Sequence, residues 1–323
     1  MLPSLGVAAA RRGGGTTMRR RWAVVLAVCA VLLLAGCGKP PGTDGDLING
    51  WPAFPKAVTP VPAVGACYPT EYNETWYTDF TNAVPCSTGH QTETVYVGTF
   101  TGADADRSSP PLGGSPARRT AYQQCQQASV DYLGGDWHGA RVELGLVLPD
   151  DKAWTGGARW YRCDVTRFQD ANYESVESGG GSAKDGLRGA KPLAVNCLML
   201  TDDGKGKIKK TDDVTCDKPH NAEFIGLFTA PDAAWQADDK ARTKIEDGGC
   251  EGVLSTFLGY GGAKPYSNYV GWWSWGFLED QWKLGDRTER CWAVALTGSG
   301  LSVNGVRVVG SMRGLRSGAP KRP

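Results

Sequence analysis

The chain has 323 residues, 21% of them charged and 10% aromatic, with 35 Lys+Arg against 34 Asp+Glu and ten cysteines. Residues 1–36 hold five arginines and no acid, so residues 37–323 carry 30 basic against 34 acidic groups, a net charge of about −4. That balance excludes the basic footprint of a nucleic-acid binder, and no apolar run after residue 36 approaches the ~20 residues of a membrane-spanning helix.

Arg11, Arg12, Arg19, Arg20 and Arg21 precede an apolar run from Trp22 to Leu34, the layout of a bacterial export signal, with Met18 as a second plausible start. The run is short for a bilayer span and ends in Leu34-Ala35-Gly36-Cys37. That ending resembles the lipobox of bacterial lipoproteins, which implies cleavage before Cys37 and acylation of its thiol, with palmitate among the acyl groups. An uncleaved anchor helix is the alternative; either way the remainder is expected outside the cytoplasm, on the outer face of the cell membrane. Residues 37–63, with Pro40, Pro41, Pro52, Pro55, Pro60 and Pro62, read as an extended tether between lipid and folded part.

Eight cysteines remain once Cys29 and Cys37 are set aside. Cys67, Cys86, Cys125 and Cys163 are followed by Cys197, Cys216, Cys250 and Cys291, at offsets of 130, 130, 125 and 128. Trp154, Gly157, Arg159, Arg162 and Cys163 recur at one offset of 128 as Trp282, Gly285, Arg287, Arg290 and Cys291. Two tandem homologous modules are expected, residues 64–187 and 194–315, with a basic tail at 316–323.

Taken in chain order, Thr92–Phe100 alternates and reads as a strand, as does its counterpart Glu223–Phe228. Thr120 is a candidate cap for a helix to Leu133 that faces Cys125 inward, and Cys250, Leu254 and Phe257 keep the same spacing in the second module. Trp160–Val165 and Cys291–Leu296 read as strands, and Val303–Val309 as a closing strand. Gly102–Arg119, Glu174–Lys191 and Thr201–Asp213 read as loops that bury little, the second doubling as the linker. The fold class is α+β: two disulfide-stapled modules, each a small, mostly antiparallel sheet with one main helix.

Outside the cytoplasm, four cysteines per module are best read as two disulfides each. Of the possible pairings, neighbours are preferred, Cys67–Cys86 with Cys125–Cys163 and the same in the second module, the others staying open. The recurring Cys-x3-His-x2-Glu segment, Cys86/His90/Glu93 and Cys216/His220/Glu223, raises three options. Structural zinc wants four ligands, and the only further histidine, His138, has no counterpart, so no metal is expected. A catalytic thiol must stay free, whereas these have apparent partners. His90 with Glu93, or His220 with Glu223, could serve as the acid–base pair of a hydrolase. The favoured reading is a turn whose histidine nitrogens bond backbone groups left unpaired there.

Together, Val84-Pro85-Cys86, His90, Glu93, the Trp154/Gly157/Arg159 segment before Cys163 and a late Gly181-Ser182 resemble the septum-formation domain of actinobacterial envelope proteins. The sequence departs from that pattern at Thr215, where Pro is usual, and in the Gly/Ser loop after Cys163. The resemblance implies an envelope location and a link to division septa, and brings no catalytic residues; no cofactor is expected. Alternating aromatics at Tyr269, Trp272, Trp273 and Trp275 are a candidate stacking surface for a cell-wall glycan or envelope protein, with core packing as the alternative. The expectation is a non-enzymatic, membrane-anchored binding or scaffold lipoprotein; the alternative is an envelope hydrolase using the His/Glu pairs.

Overall fold

The computed structural model describes residues 59–70, 82–264, 267–297 and 302–323. The export signal, Cys37 and most of the tether lie outside them. Thr59–Pro323 forms one compact unit built around two antiparallel sheets. The first sheet contains β1 (Cys67–Tyr68), β2 (Thr92–Thr99), β3 (Val142–Val147) and β4 (Trp160–Arg167), in the order β1-β2-β4-β3. The second contains β5 (Cys197–Asp202), β6 (Ile208–Val214), β7 (Ala222–Thr229), β8 (Val270–Trp273) and β9 (Thr288–Ala295), in the order β6-β5-β7-β9-β8.

The α+β expectation holds, and each sheet carries one long helix. Helix α1 (Pro116–Leu133) buries Ala121, Tyr122, Cys125 and Leu133, where Tyr122, Cys125 and Leu133 share a core with Leu144, Leu146 and Val165 of the sheet. The short α2 (Asp151–Thr155) precedes β4. Helix α3 (Asp239–Leu258) puts Leu254, Phe257 and Leu258 against Val270, Ala293 and Ala295, and the short α4 (Glu279–Lys283) precedes β9. A separate cluster is formed by Ala171, Leu198, Leu200, Trp292 and Val303. The four disulfides pair neighbours: Cys67–Cys86, Cys125–Cys163, Cys197–Cys216 and Cys250–Cys291. In each half one bridge staples the first strand, β1 or β5, to the turn before β2 or β7, and the other ties the long helix to β4 or β9. The parallel extends to a register shift between Thr94 and Tyr96 in β2 and between Phe224 and Gly226 in β7.

Four expectations from the sequence need correction. Helix α1 begins at Pro116, not Thr120, because Ser115 accepts from the Arg118 N–H and Pro116 sits at the first position, where its missing N–H is not needed. Thr201–Asp213 is largely a hairpin, since β6 pairs with β5 from Val214 back to Ile208. Val303–Val309 contributes a single bridge, Val308 to His220, rather than a strand. Glu174–Lys191 is not uniformly exposed: Ala183 and Leu187 join Leu193 in the first core, and the following linker is strapped back, with Arg141 N donating to Leu193 O and Val195 N to Gly139 O.

Candidate functional site

The recurring histidines occupy equivalent places. His90 and His220 are buried, at 2% and 0% exposure. Each ring donates from Nδ1 to the carbonyl two residues back, Thr88 O at 2.9 Å and Lys218 O at 2.7 Å. The backbone N–H groups of both cross to the late loop of the same half, at Gly179 O and Val308 O. Neither Nε2 has a partner among the described residues, so only one ring nitrogen of each makes the backbone bond that the turn reading expects. The glutamates hold that same loop. Glu93 accepts from Ser182 Oγ (2.5 Å), Ala183 N (2.6 Å) and the Tyr132 hydroxyl. Glu223 accepts from Ser311 Oγ (2.6 Å) and Met312 N (2.8 Å). Burial, followed by the Glu93 hydrogen bond, pushes the Tyr132 hydroxyl up to about 12.

The Trp-x2-Gly-x-Arg segments are latches. Trp154 and Trp282 each donate Nε1–H over 2.8 Å to a carbonyl of the loop following β2 or β7, Arg107 O and Ala233 O. Arg159 lies 4.2 Å from the Trp154 ring and donates to Ala105 O; Arg287 pairs with Asp232 at 2.7 Å. Gly157 (φ 101°) and Gly285 (φ 92°) turn the chain between Trp and Arg in the left-handed region, where a Cβ is strained. The donor atoms of Cys67, Cys86 and Glu93 lie within 4.8 Å of one another, but the two sulfurs are bonded together and offer no thiolate.

Of the aromatic run, Trp272 packs toward one core and Trp273 toward the other, as alternation along β8 requires, and Tyr269, just before the strand, packs on the Trp272 side. The four rings therefore share no common face. Trp275, 39% exposed, stands 5.5 Å edge-on to Trp292 and opens into a cleft of about 250 Å³ between the halves. Trp137, His138, Glu143 and residues 171–173 wall one side of this cleft, and Trp275, Gln281 and residues 288–290 stand on the other.

Charge is concentrated there. His138 donates from Nδ1 to Asp136 (2.6 Å) and from Nε2 to Asp286 of the opposite half (2.9 Å). Burial opposes its charge, yet the two carboxylates outweigh burial and push the imidazole up to about 9. Arg290 reaches back across the boundary and donates to His138 O, Ala171 O and Ala140 O at 2.5, 2.9 and 3.1 Å. Burial pulls its guanidinium down to about 10. Glu289 is pushed up to about 7, chiefly by burial and further by the nearby Glu246, against the opposing hydrogen bonds from backbone N–H groups. Burial also raises Glu143, with Arg290 opposing. Sequence reasoning noted His138 and Trp275 separately but missed Glu143, Asn172, Tyr173, Asp286 and Glu289.

Comparison with protein-family models gives one match, to "Septum formation", over residues 64–291. The chain belongs to the septum-formation family. The matched span runs through both halves and contains all eight bridged cysteines of this septum-formation protein, as well as both walls of the cleft. Searches among curated proteins and solved structures returned no match.

Proposed function

We propose that this septum-formation protein is a lipid-anchored, non-enzymatic binding module of the bacterial cell envelope, built by internal duplication and working near division septa. The observation that carries a binding role is the cleft between the halves, where Trp275 and Tyr173 meet buried carboxyls. The recurring His/Glu pairs are spent on the fold: both histidines bond their own turn, and both glutamates hold a Gly-Ser loop. A hydrolase would need at least one such pair facing substrate, so the binding reading is preferred. The anchor reading rests on Leu34-Ala35-Gly36-Cys37 and the basic-apolar segment before it.

The test is metabolic labelling of cells with an alkyne fatty acid, combined with fractionation and imaging of a tagged protein. Label on the wild type, its loss in Cys37→Ala, and enrichment at septa are expected. An unlabelled protein found evenly in the medium contradicts the reading.

A further inference from the structure

The carboxyl groups around the cleft outnumber the cations. Glu143, Glu289, Glu246, Asp136 and Asp286 stand against Arg290 and His138, five acids to two cations. Both cations are already engaged. All three guanidinium nitrogens of Arg290 donate to main-chain carbonyls, and both nitrogens of His138 face Asp136 and Asp286. Glu143 and Glu289, both lining the cleft, form no ion pair among the described residues. Arg290 partly offsets the charge of Glu143, but carboxyls held in a low-dielectric recess with too little positive charge beside them are unfavourable in their charged form and attract a further cation.

A second, independent observation points to a ligand. Trp137 lines the cleft and is 2% exposed, and its buried indole N–H has no acceptor among the described residues. Asn172 Oδ1, on the same wall, is a buried acceptor without a donor. The wall thus carries one unpaired donor and one unpaired acceptor, both buried, beside Glu289 and beside Glu143, whose charge Arg290 partly offsets, with the Trp275 ring at the rim. Aromatic faces and carboxyls together are the chemistry that receives an ammonium group. At about 250 Å³ the space lies below the ~300–1,000 Å³ of drug-sized pockets, room for one short residue and not an extended chain.

We propose that the cleft between the two halves binds a primary ammonium group that carries a neighbouring hydrogen-bond acceptor, its charge facing Glu143 and Glu289. Two sources share that chemistry, a lysine-like side chain of a peptide and an amino sugar. The inference rests on the binding reading above but not on the lipid anchor: a chain that binds amines yet is never acylated keeps this site, and an acylated septal protein that ignores amines loses only this site.

The experiment is calorimetric titration of the disulfide-intact ectodomain with Nα-acetyl-lysinamide and with glucosamine, against their neutral counterparts Nα-acetyl-norleucinamide and N-acetylglucosamine. At least one amine is expected to bind at least about tenfold more tightly than its neutral counterpart, and the better amine names the source. Glu289→Gln and Glu143→Gln are expected to weaken that amine about tenfold or more. For Nα-acetyl-lysinamide, whose ammonium group stays charged throughout, affinity of the wild type should rise from pH 6 to pH 8 as Glu289 ionises among Glu246, Glu143, Arg290, His138, Asp136 and Asp286, and Glu289→Gln should flatten that rise. Equal binding of neutral and charged ligands, or no binding of either amine, overturns the proposal, and neither result depends on a variant that must fold. Folded Gln variants with unchanged affinity overturn it too.

Discussion

Glu93 and Glu223 show how a recurring acidic residue can look catalytic in sequence and be structural in space. Each carboxylate accepts from a serine hydroxyl and the following backbone N–H of its late loop, so truncation leaves those donors unmatched, the Ala183 N–H of the first loop being the buried one. Glu93→Ala, which also strands the Tyr132 hydroxyl, should cost about 1.5–3 kcal/mol, and Glu223→Ala somewhat less, read as urea midpoints at unchanged slope. His138 makes a second residue-scale prediction, through pH. In the fold the imidazole is pushed up to about 9 from its ordinary 6.5, so its contribution is complete below about 6.5 and is lost as pH rises through about 9. The melting temperature should decline over that window, and the decline should shrink in His138→Gln. Identical pH profiles would remove the clamp. These roles were only partly legible, because hydrogen bonds to a loop some 90 residues away leave no local pattern. What the sequence does carry is contrast: between the shared Trp, Gly, Arg, Arg and Cys of the two segments, Asp286 stands against Ala158 and Glu289 against Tyr161, and Glu289 lines the cleft while Asp286 bonds His138 beside it.

Among the elements, the strands and helices with strong alternation or caps were readable, while those defined by partners were not. β2, β4, β7 and β9 follow from β-rich runs beside a cysteine. β6, with Lys209, Lys210, Asp212 and Asp213, has no apolar alternation and exists because β5 offers it a ladder. Val303–Val309 has the composition of a strand but only one bridge to a neighbour, since the chain there turns to deliver Ser311 and Met312 to Glu223. The disulfides allow an element-scale test. Cys250–Cys291 closes a separation of 41 residues and Cys197–Cys216 one of 19. Each is worth about 2–4 kcal/mol, and loop-closure entropy makes the longer one worth roughly 0.6 kcal/mol more. Paired Cys→Ser variants should rank in that order in denaturant, and the reverse order would show that strain or residual structure dominates.

At the scale of the whole molecule, the two-module arrangement, with one sheet and two disulfides in each half, was legible from the cysteine offsets, but the joint between the halves was not. Arg162 and Arg290 hold equivalent positions in the repeat. Arg162 stays at home, paired with Asp164 at 2.9 Å, whereas Arg290 crosses to three carbonyls of the other half. Its donors and the His138–Asp286 contact couple the sheets, so calorimetric unfolding should be one transition, and Arg290→Met should broaden or split it because three buried carbonyls lose their donors. Residues that hold the frame are thus distinct from residues that line the cleft. The most direct test of that division is retention of the purified ectodomain on isolated cell envelopes, measured well below the melting point of every variant. His90→Ala and His220→Ala should be retained like the wild type despite melting earlier, and Trp275→Ala and Glu289→Gln should wash off. Retention lost with the histidines and kept without Trp275 and Glu289 would contradict it.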